Sequence, residues 1–450
     1  MMSLGEAASL LAARGTGGDA RFTGVSTDTR TLREGDLFVA LRGERFDGHE
    51  FLGEAAANKA AGAVVERGYA GQRVLPAIVV DDTKRALGEL ARHWRGRFAP
   101  ALVAITGSNG KTTVKEMLAA ILRRHAGEPA VLATAGNLNN DIGVPLTLLR
   151  LRAAHRWCAV ELGMNHRGEI AYLAAIARPT VALVNNAQRE HLEFMRSVEE
   201  VAAENAGVYD ALPASGTAVV NADDAHAGLF RARAGKRRIV EFGIGSKAAV
   251  TGRYSLKPLA SEIALRTPAG EAQARLAIPG VHNVRNALAA AACAYSLDIS
   301  AETIAAGLSG FRPYAGRLQV KQAASGAALI DDSYNANPDS VRAAIDVLAG
   351  CPGPTALVLG DMGEVGAQGP AFHAEVGRYA KEKGICSLLA TGVLSKESVA
   401  AFGDGGRHFD DWTEIASSLR AAGTILVKGS RFMKMERVVA ALTGEKEAAH

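Results

Sequence analysis

The sequence predicts an α/β fold divided into three domains, and three observations support this prediction. The 450 residues are too many for one ordinary hydrophobic core. Short apolar runs typical of buried strands recur along the chain and alternate with segments of helical apolar spacing. Polar residues stand at or soon after the ends of several of these strands, where open α/β sheets bind ligands. We expect the domains to span residues 1–97, 98–311 and 312–450.

Composition narrows the class of protein further. An apolar content of 48% with 22% charged residues is typical of soluble globular proteins. The sequence contains no apolar run long enough to cross a bilayer, its N-terminus lacks the pattern of a secretory signal, and its four cysteines lack CxxC spacing. A net charge of +4 is mild for this length, without basic runs. We therefore expect a cytoplasmic protein that neither inserts into membranes nor binds nucleic acid.

The first predicted domain carries two polar clusters, at residues 26–30 and 42–49. Solvated loops would account for both. Arg30 and Arg42 would also suit a diphosphate, because a guanidinium fork matches phosphate oxygens. The predicted elements of this domain are strands at 37–40, 63–65 and 77–80 and helical segments near 51–60 and 84–98.

The second domain opens with the most informative stretch, an apolar strand at 101–105 that leads into TGSNGKTT and then into a helical pattern. A strand, a glycine-rich turn ending in Gly-Lys-Thr and a helix together predict a phosphate-binding turn of the P-loop type, and hence an ATP site. Only two residues separate its glycines, whereas the usual pattern has about four. Lys111 would add a charge, and the Thr112 hydroxyl could ligate Mg²⁺. The predicted ATP-binding residues of this turn are Gly107, Ser108, Asn109, Gly110, Lys111, Thr112 and Thr113.

Two later strands of this domain are followed by side chains that could bind a metal. Glu161 follows the apolar run 157–160, and His191 comes after the run 180–184. Both could hold Mg²⁺ together with Thr112, and Glu161 is the more credible ligand because hard cations prefer oxygen. A helix cap or surface ion pair for Glu161, and a structural role for His191, remain the alternatives.

An alanine-rich helix is predicted to begin at PGVHNVRN, residues 279–286. Asn283 and Asn286 lie one turn apart on one face of this helix, so their amides could read the edge of a base or a ribose. Capping of the helix N-terminus would explain the two residues equally well.

The third domain alternates strand and helix, and four of its strand ends carry Gly, Asp, Lys or Ser. Such a rim is typical of a doubly wound, Rossmann-like domain that binds ligands at its strand ends. The KGSR turn could seat a carboxylate on Lys428 and Arg431, although basic residues at a helix start more often face solvent. The four strand ends are at residues 331–338, 360–364, 391–392 and 428–431.

Sequence motifs along nearly the whole chain resemble those of the Mur ligases of bacterial cell-wall synthesis. The combination of DDSYNANPDS with VKGSR resembles the branch that adds D-alanyl-D-alanine. The Asp-Asn-Pro-Arg motif usual in the branch that adds the third amino acid is absent. The motifs that carry the resemblance include STDTR (26–30), FVALRGERFDGHEF (38–51), TGSNGKTT (106–113), GNLNNDIGVPLTLL (136–149), ELGMNHRGEI (161–170), HLEF (191–194), PGVHNVRNALAA (279–290), GRLQ (316–319), DDSYNANPDS (331–340), GDMGEVG (360–366) and VKGSRFMKMERVV (427–439).

The resemblance implies a first domain for the uridine-diphosphate end of the substrate, a central ATPase, and a last domain that closes over ATP with the incoming dipeptide. It implies a ligase that uses ATP and Mg²⁺, a UDP-muramoyl-tripeptide and D-alanyl-D-alanine, and we expect a monomer. Carried onto this sequence, the catalytic residues are Lys111, Glu161 and His191, and the metal ligands Thr112, Glu161 and His191. The further ATP-binding residues are Asn283, Asn286, Arg317 and Asp332. The substrate-binding residues are Thr27, Asp28, Arg30, Arg42, Asn137, Asn139, Asn140, Asn335, Lys428, Ser430 and Arg431.

The chain departs from the family pattern at Asn205. Most Mur ligases carry a lysine here, counted from His191, and hold it as a carbamate that supports a second Mg²⁺. A primary amide cannot be carbamylated, so either Asn205 holds the water shell of the metal or one Mg²⁺ suffices. Both alternatives predict an activity that does not depend on bicarbonate.

Two rival functions are weighed against the ligase that the motifs indicate. Folylpolyglutamate synthase shares the ATPase chemistry and the fold but lacks the uridine-diphosphate domain, so residues 1–97 argue against it. A nucleotide-dependent switch would need no polar strand ends in its last domain. The sequence leaves open whether the accepted tripeptide ends in diaminopimelate or lysine.

Overall fold

The computed structural model describes residues 1–16, 18–43, 46–71, 74–245, 247–419 and 422–445. Within these ranges, the first domain contains a five-stranded sheet in the order β1-β5-β4-β3-β2. Strand β1 runs antiparallel to β5, and the other neighbours are parallel. The predicted strands and helical segments of this domain are present; the first helix and the first two strands were missed. The elements are α1 (Leu4–Leu10), β1 (Arg14–Thr16), β2 (Gly24–Ser26), β3 (Asp36–Val39), α2 (Leu52–Ala57), β4 (Gly62–Glu66), β5 (Ala77–Val80) and α3 (Thr83–Arg95).

Helix α3 joins the first domain to the second. Asp82 caps it by accepting hydrogen bonds from the Lys84 and Arg85 amides at 2.8 and 2.9 Å. At its other end the Trp94 indole donates to the Leu151 carbonyl at 3.1 Å, and the buried Arg95 side chain donates to carbonyls that include that of Ala177. Burial lowers the pKa of Arg95. The first two domains therefore share one apolar core.

The central domain is built on a six-stranded sheet in the order β11-β10-β9-β6-β8-β7, in which every pair is parallel. Side chains of β6 alternate between two cores, with Leu102 and Ala104 on one face and Val103 and Ile105 on the other. Because both faces are buried, its strands read as continuous apolar runs, which explains why they were predictable. The elements are β6 (Ala101–Thr106), α4 (Lys111–Ala126), β7 (Val131–Ala133), α5 (Gly143–Leu149), β8 (Trp157–Glu161), α6 (Glu169–Ala177), β9 (Val181–Val184), α7 (Val198–Ala206), β10 (Thr217–Asn221), α8 (Ala227–Ala234) and β11 (Arg238–Phe242).

A three-stranded antiparallel meander follows, and it was not predicted. Only alternate residues of its middle strand are buried, for example Ile263 and Leu265, and most side chains of the first strand face solvent. Two helices pack against its apolar face. The elements are β12 (Thr251–Lys257), β13 (Ala260–Thr267), β14 (Gly270–Leu276), α9 (Val281–Tyr295) and α10 (Ala301–Gly310).

The last domain contains a second six-stranded sheet, in the order β15-β16-β20-β17-β18-β19. Only β15 is antiparallel to its neighbour. The predicted α/β class, with a mostly parallel central sheet and a Rossmann-like last domain, is confirmed. The predicted boundaries at 97/98 and 311/312 fall between sheets. The elements are β15 (Gln319–Gln322), β16 (Ala328–Asp332), α11 (Pro338–Ala349), β17 (Thr355–Gly360), α12 (Gly369–Glu382), β18 (Ser387–Thr391), α13 (Ser395–Phe402), β19 (Gly406–Phe409), α14 (Thr413–Ser418), β20 (Thr424–Lys428) and α15 (Glu436–Thr443).

Among the helices that the described ranges form, none combines the length and the apolar character needed to cross a membrane.

Candidate active site

Two neighbouring cavities lie where the central and last domains meet. The larger has a volume of about 710 Å³ and the smaller about 430 Å³. Both lie at the carboxyl ends of parallel strands, as expected for ligand sites in such sheets. Residues from both domains border both cavities: Asn109, Gly110, Arg317, Ser340 and Lys428.

The predicted phosphate-binding turn lies between the two cavities. Gly107 and Gly110 have φ values of 128° and 84°, which favour glycine. A Cβ on Gly107 would lie 2.9 Å from the Asn186 nitrogen, and one on Gly110 would lie 2.3 Å from the Asn286 side-chain oxygen. Gly110 offers no capping side chain to α4, so the first amides of this helix remain available to an anion. The shortened turn thus keeps the features that bind phosphate.

Lys111 is the first residue of α4, and its ammonium group lies against the phosphate-binding turn. Nζ donates to the carbonyls of Gly107 at 2.6 Å and Ser108 at 3.0 Å. It also lies 3.4 Å from each carboxylate oxygen of Glu190, a buried acid on the wall of the larger cavity. Glu190 was missed by the sequence analysis, although its position directly before His191 was a usable signal.

Glu161, at the end of β8, provides the best fit to a metal ion. Its side chain is 2% exposed. Oε1 accepts hydrogen bonds from Asn139 Nδ2 at 2.7 Å and Thr112 Oγ1 at 3.2 Å, whereas Oε2 is buried and has no partner. A buried carboxylate oxygen is costly to leave unpaired, and oxygen is the ligand that Mg²⁺ prefers. Glu161 and Thr112 therefore fit the predicted Mg²⁺ site, in which Asn139 orients the carboxylate.

His191 also lines the larger cavity, but its ring is engaged on the other domain. Nδ1 lies 2.5 Å from Glu364 Oε2, and Nε2 lies 3.5 Å from Glu190 Oε1. Within the described part of the chain, no group of three or more His, Cys, Asp or Glu side chains is arranged to hold a metal. The metal role of His191 therefore stays a prediction.

The smaller cavity brings together the four further residues predicted to bind ATP, of which Asn283 and Asn286 were predicted to face the adenosine. Asn283, Asn286, Arg317 and Asp332 come from three separate segments and all line it. The asparagines form a chain: Asn185 Nδ2 donates to Asn286 Oδ1 at 3.0 Å, and Asn286 Nδ2 donates to Asn283 Oδ1 at 3.1 Å. The Arg317 guanidinium lies 4.1 Å from the centre of the Tyr334 ring, and its Nε is buried without a partner.

Lys428 lies on the wall between the two cavities. Its Nζ lies 2.5 Å from Asp332 Oδ2 and donates to the Asn335 carbonyl at 2.8 Å. Burial lowers the pKa of Lys428, and the Asp332 charge opposes that shift. The structure therefore pairs both cations of this turn with carboxylates: the buried Lys428 with Asp332, and the more exposed Arg431 with Glu436 at 2.7 Å.

The remaining predicted substrate contacts of the central and last domains have identifiable local partners. Asn140 Oδ1 accepts from the Gly143 amide at 2.9 Å and so supports the start of α5. Ser430 donates to the Ala336 carbonyl and accepts from the Gly363 amide. The residues of this predicted set that line the larger cavity are Asn137, Asn139, Asn140, Asn335, Lys428, Ser430 and Arg431.

The first-domain residues predicted to bind the uridine diphosphate border neither cavity. Arg30 is 86% exposed and pairs with Asp28 at 2.6 Å. Arg42 pairs with Asp47 at 3.0 Å and Glu66 at 3.2 Å. The structure thus engages both arginines with carboxylates, and their substrate role, with that of Thr27, stays a prediction. Residues 44 and 45, which belong to the same 38–51 motif as Arg42, lie outside the described residues.

Asn205 lies on α7, behind the phosphate-binding turn, and borders neither cavity. Its Oδ1 accepts a hydrogen bond from the Thr106 hydroxyl at 2.6 Å, and its Nδ2 donates to the Val201 carbonyl at 2.9 Å. The neighbouring Glu204 accepts from the Gly168 and Ile170 amides at the start of α6. Both ends of the Asn205 amide are used within the fold, which argues against its holding the water shell of a metal.

Comparison with known proteins is consistent with this arrangement. Three family models match: "Mur ligase family, catalytic domain" at residues 21–95, "Mur ligase middle domain" at 105–294, and "Mur ligase, glutamate ligase domain" at 316–431.

Individual relatives match over nearly the whole chain. The UDP-N-acetylmuramoyl-tripeptide--D-alanyl-D-alanine ligase of Escherichia coli strain K12 is 43% identical over 437 residues, 95% of each protein. The crystal structure of MurF from Acinetobacter baumannii has a TM-score of 0.91 at 35% identity and covers 99% of both chains. That of MurF ligase from Thermotoga maritima in complex with ADP has a TM-score of 0.82 at 26% identity, covering 95% of this chain and 98% of that one. The chain described here belongs to the Mur ligase family.

Proposed function

We propose that this protein joins D-alanyl-D-alanine to UDP-N-acetylmuramoyl-tripeptide at the expense of ATP. The observation that carries the proposal is the position of the phosphate-binding turn between two cavities, one with the adenosine-side residues and one with the unpaired Glu161 oxygen. The 43% identity to a ligase of that name supports the choice of substrates. The ADP complex of the Thermotoga maritima relative supports the use of ATP.

The chemistry explains why ATP is needed. An ionised carboxylate resists attack by an amine and has no good leaving group. A carboxylate oxygen of the tripeptide attacks the γ-phosphorus of ATP, ADP leaves, and an acyl phosphate forms. The free amine of D-alanyl-D-alanine then attacks the acyl carbon, phosphate leaves, and the amine loses a proton. The protein accelerates both steps mainly by positioning the reactants and by neutralising charge.

Each part of the cleft has a role in this reaction. Lys111 and the first amides of α4 neutralise the transferred phosphoryl group. Glu161 and Thr112 would hold Mg²⁺, which when bound offsets charge on the phosphate oxygens. The Asn283–Asn286 pair and Arg317 bind the adenosine side, and the turn around Arg431 receives the dipeptide. Closure of the last domain keeps water from the acyl phosphate.

The partners in this reaction are small-molecule substrates. We propose that the protein acts in the cytoplasm as a monomer, with Mg²⁺ as its metal.

The test is a substrate-omission assay that measures both phosphate and amide product. With ATP, Mg²⁺, UDP-muramoyl-tripeptide and D-alanyl-D-alanine together, we expect one phosphate per amide. Omitting either the tripeptide or the dipeptide should abolish amide formation. Parallel assays with tripeptides that end in diaminopimelate and in lysine identify the accepted substrate. Glutamate addition to a folate instead would indicate folylpolyglutamate synthase, and hydrolysis of ATP without any amide product would indicate a nucleotide-dependent switch.

A further inference from the structure

Arg189, two residues before the predicted metal ligand His191, reaches out of the central domain and inserts between two helices of the last domain. Its Nε and Nη2 donate to Asp339 Oδ1 at 3.0 and 2.6 Å. Its Nη1 and Nη2 donate to the two oxygens of Glu375 at 2.8 and 3.1 Å. The backbone amide of Arg189 also donates to Asp339, at 2.9 Å. One side chain thus binds two carboxylates on the opposite domain.

The surroundings strengthen these bonds. Arg189 and its two carboxylates expose only about a quarter of their side chains (25, 23 and 28%), so water screens their charges incompletely. The guanidinium also lies 5.3 Å from the centre of the Phe372 ring. The hydrogen bonds to Glu375 raise the pKa of Arg189, and Arg189 in turn lowers the pKa of Glu375. The guanidinium fork matches this bidentate arrangement in a way that a lysine ammonium would not.

Two further contacts tie the central domain to the last domain. Asn337 Nδ2, at the start of α11, donates to Asn109 Oδ1 of the phosphate-binding turn at 2.9 Å. His191 contacts Glu364 at 2.5 Å. Arg189 directly precedes Glu190, which faces Lys111. The positions of Glu190 and His191 in the cleft therefore depend on how the last domain packs against the central domain.

We propose that Arg189 is a positioning residue that latches the last domain onto the central domain and thereby sets Glu190 and His191 in the cleft. The catalytic consequence of this latch rests on the proposed ligase function. Its structural consequence, the attachment of one domain to the other, does not depend on that function. When it is closed, the cavity that would hold the acyl phosphate is bounded by both domains, which limits the access of water. When it is open, the acyl phosphate would be exposed to hydrolysis before the dipeptide arrives.

The chain offers a matched control for this proposal. Arg342 donates to the same Glu375 at 3.1 Å, but both residues belong to the last domain. Arg342→Ala therefore removes an arginine from the same network without removing a contact between domains. Arg189→Ala removes the contact between domains, and Arg189→Lys keeps the charge but loses the fork, which provides a milder variant if the alanine variant folds poorly.

The first measurement is small-angle X-ray scattering of the full-length protein without substrates, which needs no catalytic activity. We expect Arg189→Ala to give a larger radius of gyration than the wild type, Arg189→Lys an intermediate one, and Arg342→Ala the wild-type value. The second measurement is the ratio of phosphate released to amide formed, with all substrates present. We expect this ratio to rise at least about twofold in Arg189→Ala, and kcat/KM for the dipeptide to fall roughly tenfold.

The outcomes separate the latch from general stability and from the proposed function. A wild-type radius together with an unchanged phosphate-to-amide ratio in Arg189→Ala would overturn the latch. Equal effects of Arg189→Ala and Arg342→Ala would overturn it too. Only Arg189 joins the two domains, so a latch predicts a larger effect for Arg189→Ala. If the wild type forms no amide with either tripeptide, the proposed function fails, and the scattering comparison still decides the latch.

Discussion

His191 Nδ1 lies 2.5 Å from Glu364 Oε2, so a histidine at the edge of the central sheet is held by a carboxylate from the last domain. The hydrogen bond from His191 lowers the pKa of Glu364. Because Nδ1 is used in this contact, Nε2 is the ring nitrogen left to act elsewhere in the cleft. The residue that the sequence indicated as a metal ligand is thus also part of the seam between two domains.

The first prediction concerns Lys111. Replacing it by alanine removes a charge that counts most in the transition state, so turnover should fall by about two orders of magnitude or more. Steady-state phosphate and amide formation measure the effect. Lys396→Ala, at an exposed position on α13, serves as the control and should retain wild-type turnover. Normal turnover in a correctly folded Lys111→Ala protein would refute the phosphate-binding role.

The second prediction concerns the unpaired oxygen of Glu161. Glu161→Gln keeps the shape of the side chain but removes its charge, so the Mg²⁺ concentration for half-maximal activity should rise roughly tenfold or more. The KM for the dipeptide should change less. Glu169→Gln is the control, since the Glu169 carboxylate also borders the cavity but accepts hydrogen bonds from the backbone amides of Asn165 and His166. An unchanged Mg²⁺ requirement would make Glu161 a structural residue.

The third prediction concerns Asn205, whose side-chain oxygen and nitrogen each make a hydrogen bond inside the fold. Activity should not depend on bicarbonate, which an assay in carbon-dioxide-depleted buffer with later addition of bicarbonate would show. Asn205→Ala should lower the free energy of unfolding by about 1–3 kcal/mol, because Thr106 and Val201 lose a buried partner. It should cost less activity than Glu161→Gln. Marked rescue by bicarbonate would instead reveal a carbamylated lysine elsewhere in the chain.

The fourth prediction concerns His282, on the wall of the smaller cavity. Removal from water lowers its pKa to about 4, and the charges of Lys428 and Arg285 add to the shift. In the unfolded chain its pKa is about 6.5, so below that pH the unfolded state binds a proton that the folded state does not. The contribution of neutral His282 to the free energy of unfolding is therefore fully present above pH 6.5, and it is lost as the pH falls from 6.5 towards 4.

Melting curves from pH 7.5 to 4 of the wild type and of His282→Gln test this point. The melting temperature of the wild type should fall more steeply than that of the variant between pH 6.5 and 4. Parallel curves across that interval would show that His282 does not contribute to the pH dependence of stability.

Much of the fold could be predicted from the sequence, for a physical reason that differs between strands. Strands such as β6 and β9 are buried on both faces and therefore read as short, continuous apolar runs. Strand β12 exposes most of its side chains, so its sequence from Thr251 to Lys257 lacks that signal. The structure explains why the meander was missed: only one of its faces is apolar.

The site was predictable where its residues adjoin a strand end and not where it depends on distant pairing. Glu161 ends β8, Lys111 begins α4 after the turn that follows β6, and both line the larger cavity. The contact of Arg189 with Asp339 joins residues 150 positions apart. No local pattern marks such a pair, and the same holds for Lys428 with Asp332, 96 positions apart. Local periodicity therefore indicates candidate residues, whereas tertiary contacts decide which of them remain free to act.

The seam between the first two domains has a consequence for how the chain can be divided. Trp94 and Arg95 reach into the central domain and satisfy the carbonyls of Leu151 and Ala177. A fragment that ends at residue 97 would expose the apolar face of α3 to water, and the complementary fragment would lose the Arg95 donor to the Ala177 carbonyl. We therefore expect neither piece to fold autonomously, so that the first and central domains unfold together.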